Sequence, residues 1–95
     1  MTYKYRVDYT SDFKKEYKKI KKQGKNLDKI RYIVNQLACG NSLDSQYNDY
    51  KLNDSKRFKD CRECHIEPNW LLIYRIDNNE LILLLVETGS HSDLF

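Results

Sequence analysis

Nothing in this sequence is apolar over the ~20 residues that a membrane-spanning helix needs, so no such span is expected. The first nine residues, MTYKYRVDY, alternate charge with aromatic rings and lack the apolar core of a signal peptide. The expected compartment is therefore the cytoplasm, where three cysteines, an odd number, are expected as free thiols. Glycine occurs three times and proline once, with no repeat and no low-complexity stretch, which excludes a disordered or collagen-like chain. Histidine occurs only twice, at His65 and His91, so imidazole chemistry has two places to reside.

What is present suits one small domain spanning residues 1–95. Hydrophobic residues make up 40% and charged residues 33%, enough for one modest core under a polar surface. Eight tyrosines fit half-buried sheet faces and interfaces. The net charge of +3 hides an asymmetry: residues 1–31 carry eleven Lys and Arg against four Asp and Glu. A basic segment on a small domain suits a polyanion or an acidic protein partner.

Periodicity outlines the elements. In YKYRVDY, Tyr3, Tyr5, Val7 and Tyr9 alternate with Lys4, Arg6 and Asp8, the period of a half-buried strand. Thr10-Ser11-Asp12 then supplies N-cap chemistry for a helix whose stripe is Phe13, Tyr17 and Ile20 and whose stop is Gly24. A second helix carries Leu27, Ile30, Val34 and Leu37 and ends at Gly40. Residues 41–56 lack a clear period and read as a long surface loop. Three strands follow in FKDCRECHI, WLLIYRI and LILLLVET, joined by turns at Glu67-Pro68-Asn69 and Asp77-Asn78-Asn79-Glu80. The expected class is α+β: a helical hairpin covering one face of a mostly antiparallel sheet.

The stretch CRECH, Cys61 to His65, matches the C-x-x-C-H of c-type haem attachment. Its context argues otherwise, because such a site needs export and introduces a helix, whereas this one runs into an apolar strand pair. Zinc and a Cys61–Cys64 disulfide meet a geometric objection: on a strand, Cys61 and His65 face one side and Cys64 the other. No cofactor and no metal are expected, and the cysteines read as small packing residues. His65 and His91 are more informative. His65 ends the first meander strand and His91 follows the third, so both stand at one edge of the sheet, ~10 Å apart if one strand lies between. Two imidazoles on one rim can serve as base and acid near neutral pH.

The run CRECHIEPNWLLIYRIDNNELILLLVETGSHSDLF resembles the YafQ-type toxins of the RelE/ParE superfamily, chiefly in CHIEP-x-WLLIY and TGSH-S-D-LF. The resemblance implies a RelE/ParE-like fold: an N-terminal strand, a helical hairpin, and a three-stranded antiparallel meander in one sheet. It implies an mRNA interferase of a type II toxin–antitoxin module, an endoribonuclease that cuts messages in the ribosomal A site. The implied partners are the ribosome, mRNA and a DinJ/RelB-type antitoxin in a hetero-oligomer, with no membrane. By position, His91 matches the family's general acid, His65 an active-site histidine, and Trp70 and Phe95 positions implicated in activity.

Three positions depart from the family pattern: Asn69 stands where Asp is common, Glu87 where Arg is common, and Tyr50 where an upstream histidine is found. RNA cleavage through the 2′-hydroxyl needs a base, an acid and positive charge on the phosphate. Asn69 cannot act as a base, Glu67 is a substitute carboxylate, and Glu87 is expected to repel the phosphate, so that Glu87→Arg should raise activity. Lys51, Lys56, Arg57, Lys59, Arg62 and Arg75 are the cations nearest in sequence, with Lys59 and Arg62 taken into the candidate RNA-binding set. Two other readings stay open here: an attenuated toxin that only binds its antitoxin, and a ParE-like gyrase binder, which would need neither histidine.

Overall fold

The computed structural model describes residues 3–53 and 55–95. Strand β1 (Arg6–Tyr9) leads into helices α1 (Ser11–Lys22) and α2 (Leu27–Ala38), then strands β2 (Tyr50–Lys51), β3 (Arg62–Glu67), β4 (Trp70–Asp77) and β5 (Ile82–Gly89), and a last helical turn α3 (His91–Leu94). The strands form one sheet in the order β1-β5-β4-β3-β2. β1 runs parallel to β5 and all other pairs are antiparallel.

Local chemistry explains where the helices begin and end. The Thr10 hydroxyl accepts the Phe13 N–H at 3.0 Å and donates to the Val86 carbonyl at 2.6 Å, so one side chain caps α1 and ties it to β5. Asp12 in the first turn and Lys19, Lys21 and Lys22 in the last both complement the helix dipole. Gly24, at φ +77°, provides the left-handed turn before Asn26 caps α2 through the Asp28 N–H.

The apolar stripe of α1 is as expected, with Phe13 and Ile20 buried. On α2 the buried face is Ile30, Ile33, Leu37 and Ala38, and Leu27 and Val34 are only partly covered. The buried face includes Ile33 and Ala38 beside the expected Ile30 and Leu37.

β4 is buried on both faces. Trp70, Leu72 and Tyr74 pack under the helices with Cys64, Leu83 and Leu85, while Leu71 and Ile73 pack on the opposite face against Phe58, Cys61 and Leu94. Cys61 and Cys64 therefore lie in different apolar clusters.

The region read as a loop, 41–56, contributes β2, where Tyr50 pairs with Glu63 and Lys51 with Arg62. A two-residue edge strand has too few residues to display a period. The first meander strand also begins later than FKDCRECHI suggested: Phe58–Asp60 turn, with Asp60 at φ +60°, and the ladder starts at Arg62. It continues past His65 to Glu67, with a bulge between those two residues. Bulges bend a strand and re-aim nearby side chains.

Candidate active site

The strand register brings the two histidines to one rim. His65 pairs with Leu71, and Leu71 pairs on its other side with Gly89, two residues before His91. One strand separates His65 from Gly89, so their Cα atoms lie ~10 Å apart. Side chains alternate along β3, and Cys64 and Ile66 belong to the helix-side core. Glu63 and His65 therefore project from the opposite face, the one that also carries Leu71, Ile73 and Leu94.

His65 has a carboxylate neighbour. Its Nε2 lies 3.1 Å from Glu63 Oε1, and Glu63 is only 1% exposed. The contact is close but not aligned as a hydrogen bond, and among the described residues Oε1 has no aligned donor. Tyr50 stands directly across from Glu63 on β2. Partial burial first, and then Glu63, raise the Tyr50 pKa. Tyr50, Glu63 and His65 thus form a polar row on one face.

His91 begins α3. Ser90 caps this turn by accepting the Asp93 N–H, and the Asp93 carboxylate accepts the Ser90 N–H in return. Those hydrogen bonds hold the Asp93 pKa below the usual carboxylate range. Leu94 is buried and anchors the turn, leaving His91 and Phe95 exposed. The Phe95 ring lies 5.0 Å from the His91 ring and meets Phe58 edge-on at 5.6 Å. Arg57 lies over the other ring of that pair, 4.8 Å from the Phe58 centroid.

Glu87 does not face the phosphate site as a free charge. It is buried, and its Oε1 accepts a hydrogen bond from Arg57 Nη2 at 2.7 Å, while Arg57 Nη1 donates to the Leu94 carbonyl at 3.1 Å. Burial raises the Glu87 pKa above its ordinary value, and the Arg57 charge opposes that rise. The expected repulsion is corrected accordingly: the carboxylate is turned inward and paired.

Several other candidates are held elsewhere. Trp70 is fully buried on the helix side, its Nε1–H donating to Thr88 Oγ1 at 3.0 Å while Thr88 donates to the Leu71 carbonyl. It supports the β4–β5 rim without reaching solvent. Arg62 Nε donates to Asp49, which also accepts the Tyr74 hydroxyl, so this cation is fixed away from His65. Glu67 pairs with Lys29 of α2 at 2.7 Å, which lowers its pKa. Asn69 is exposed in the β3–β4 turn and Lys59 is exposed in the turn before β3. Reading by residue type alone passed over Glu63, although its position two before His65 on a strand was a usable signal. It also did not single out Arg57 among six cations.

A hollow of about 520 Å3 contains neither histidine. It lies between α1, α2 and the sheet, lined by Val7, Phe13, Tyr17, Ile30 and Val34 with Lys14 at its rim. Such a lining suits an apolar segment of a partner more than RNA.

The sequence matches, over residues 5–95, the family described as "Bacterial toxin of type II toxin-antitoxin system, YafQ". It is 32% identical over 90 residues to the mRNA interferase toxin YafQ of Escherichia coli strain B / BL21-DE3, covering 94% of each chain. The structure is similar to that of a metal-bound toxin from Helicobacter pylori, with a TM-score of 0.89 and 37% identity over 96% of this chain and 99% of that one. It is also similar to the E. coli DinJ-YafQ toxin-antitoxin complex, with a TM-score of 0.86 and 30% identity over 97% of this chain and 98% of that one. Among the described residues here, no group of three His, Cys, Asp or Glu is arranged to hold a metal ion.

Proposed function

Because the chain belongs to the YafQ family of bacterial type II toxin–antitoxin toxins, we propose that it is an mRNA interferase that cuts messages in the ribosomal A site, with His65 and His91 as its acid–base pair. The observation that carries this reading is the flanking of the Leu71 strand position by His65 on one side and the Gly89–His91 segment on the other. In the reaction, His65 takes the proton of a ribose 2′-hydroxyl, whose oxygen attacks the adjacent phosphate. The bond to O5′ breaks, and His91 gives a proton to that leaving oxygen. The products are a 2′,3′-cyclic phosphate and a 5′-hydroxyl, and the two imidazoles end with their protons exchanged. Glu63, 3.1 Å from the imidazole, positions His65. Exposed Phe95, its ring 5.0 Å from that of His91, offers a face for a base.

The attenuated alternative drew on Glu87 and Asn69. With Glu87 buried and paired with Arg57, the repulsion argument no longer favours it. The curated relatives are mRNA interferases, which favours RNA cleavage over gyrase binding. A DinJ-type antitoxin is the proposed partner, by analogy with the E. coli complex. The apolar groove under the helical hairpin, with its basic rim, suits an acidic amphipathic segment of such a partner. No described helix is long and apolar enough to cross a membrane, and the proposed compartment is the cytoplasm.

The test compares one message free in solution and under translation on purified ribosomes, with 5′ ends mapped at nucleotide resolution. Cleavage should occur only on ribosomes and should fall by about 10²–10⁴-fold in His91→Gln. Equal cutting by His91→Gln would remove His91 from the mechanism, and equal cutting of free message would remove the ribosome.

A further inference from the structure

The proposed reaction builds negative charge on the phosphate, and neither histidine is placed to neutralise its non-bridging oxygens while also moving protons. We propose that Arg57 binds that phosphate and that Glu87 is the residue that positions it. This inference rests on the cleavage reading above and adds to it the group that holds the substrate anion.

The structure separates Arg57 from the other nearby cations. Arg62 is engaged by Asp49 on the edge of the sheet. Lys51 pairs with Arg62 in the ladder and shares its side. Arg75 pairs with Leu84, four residues along β4 from the Leu71 rim. Lys56 and Lys59 are exposed, with no fixed partner among the described contacts. Arg57 alone is held at three points close to His91: Glu87 Oε1 at 2.7 Å, the Leu94 carbonyl at 3.1 Å, and the Phe58 ring at 4.8 Å. Leu94 lies in the same helical turn as His91, and Phe95 bridges the His91 and Phe58 rings.

The guanidinium is nevertheless not used up. Its side chain is 55% exposed, whereas that of Glu87 is 8% exposed. A guanidinium carries five N–H donors, and two of them point at Glu87 and Leu94, which leaves donors free on the solvent side. A planar fork held from behind by a buried carboxylate and presented outward is the geometry that grips a phosphate with two hydrogen bonds. The bland reading is an ion pair that only pins the segment before β3 to β5, and the experiment is chosen against it.

Arg57→Gln, Arg57→Lys and Glu87→Gln are compared with wild type on ribosomes carrying a defined message. Arg57→Gln should lower kcat by about 10²-fold, the scale of a lost charge-stabilising donor. Arg57→Lys should recover part of that loss, since it keeps the charge without the fork. Glu87→Gln should fall between them. In parallel, each protein is bound to ribosomes whose A-site codon carries 2′-O-methyl riboses, which cannot be cut, over a series of salt concentrations. Arg57→Gln should reduce the slope of log affinity against log salt by about one, the loss of one phosphate contact; Arg57→Lys should keep it. Melting temperatures identify the pinning role: a variant that melts early but retains wild-type kcat and salt slope below its Tm overturns the proposal. If wild type does not cut at all, the cleavage reading fails by itself, and the salt slope still decides whether Arg57 touches a phosphate.

Discussion

Glu63 Oε1 lies 3.1 Å from His65 Nε2, two residues on along the same face of the same strand, and the carboxylate is almost fully buried. Burying a carboxylate is costly unless something compensates it, and the imidazole is the neighbour in place to do so. Glu63→Gln keeps the shape and removes the charge. The imidazole then loses the charge that faces it, so kcat should fall with KM nearly unchanged. A KM effect alone, read from initial rates on ribosomes, would exclude the positioning role.

Phe95 and Leu94 are neighbours with opposite duties. Leu94 is 2% exposed and Phe95 53%. Deleting Phe95 should reduce cleavage by the worth of one stacked base, about 1–3 kcal/mol, and leave Tm nearly unchanged. Leu94→Ala should instead destabilise the fold by about 2–5 kcal/mol. Melting curves beside cleavage rates check both, and a large fall in Tm on losing Phe95 would make it a core cap.

Placing arginine at position 87 should not raise activity, contrary to what the sequence alone suggested. The position is buried and already faces a guanidinium. Glu87→Arg sets two cations together and strips Arg57 of its acceptor, at a cost of at least about 1 kcal/mol. For a domain of this size that is roughly 4–8 °C in Tm. A variant as stable as wild type and faster in cleavage would mean that position 87 can turn outward.

Stability should depend on pH in opposite senses at two carboxyls. Asp93 has a lowered folded pKa. Its contribution is present above the ordinary Asp value and is lost as pH falls through the lower folded value, fraying α3 and displacing His91. Glu87 has a raised folded pKa. The folded state holds that proton longer, so stability declines as pH rises from the ordinary Glu value through the raised one. Tm measured against pH should show a shallower acid limb in Asp93→Asn and a weaker decline above the ordinary Glu range in Glu87→Gln. Curves parallel to wild type would contradict both assignments.

The lysines of α1 are all exposed, Lys14, Lys15, Lys18, Lys19, Lys21 and Lys22 among them. Reversing three to Glu should weaken ribosome association and flatten its salt dependence, because fewer counterions are released from phosphates. Sedimentation with ribosomes at low and high salt gives the comparison, and identical binding in both would reduce the lysines to a solvated face.

Much of this is legible in the sequence. Thr10 as a cap, the α1 stripe, the Asp77 turn and the apolar β4 run are short-range features, decided within a few residues by hydrogen-bonding chemistry and period. The rim shared by His65 and His91 was also readable, because an antiparallel meander returns alternate strands to the same edge. Strand β2 was not, since two residues carry no period and Tyr50–Lys51 is a strand only because β3 lies beside it.

The sequence by itself therefore determined the class of fold, the caps and turns, and the pair of histidines on offer. Tertiary structure decided what the charges do. Glu87 and Arg57 are thirty residues apart, and whether one repels a phosphate or holds the other depends on where β5 meets the segment before β3. Trp70, which matches a position implicated in activity, is sealed beneath the helices, its indole N–H satisfied by Thr88. Burial and pairing arise from contacts between distant segments, and these set the dielectric and the partners of each charge. A residue's type names the chemistry it can do; its packing decides which of those it is free to do.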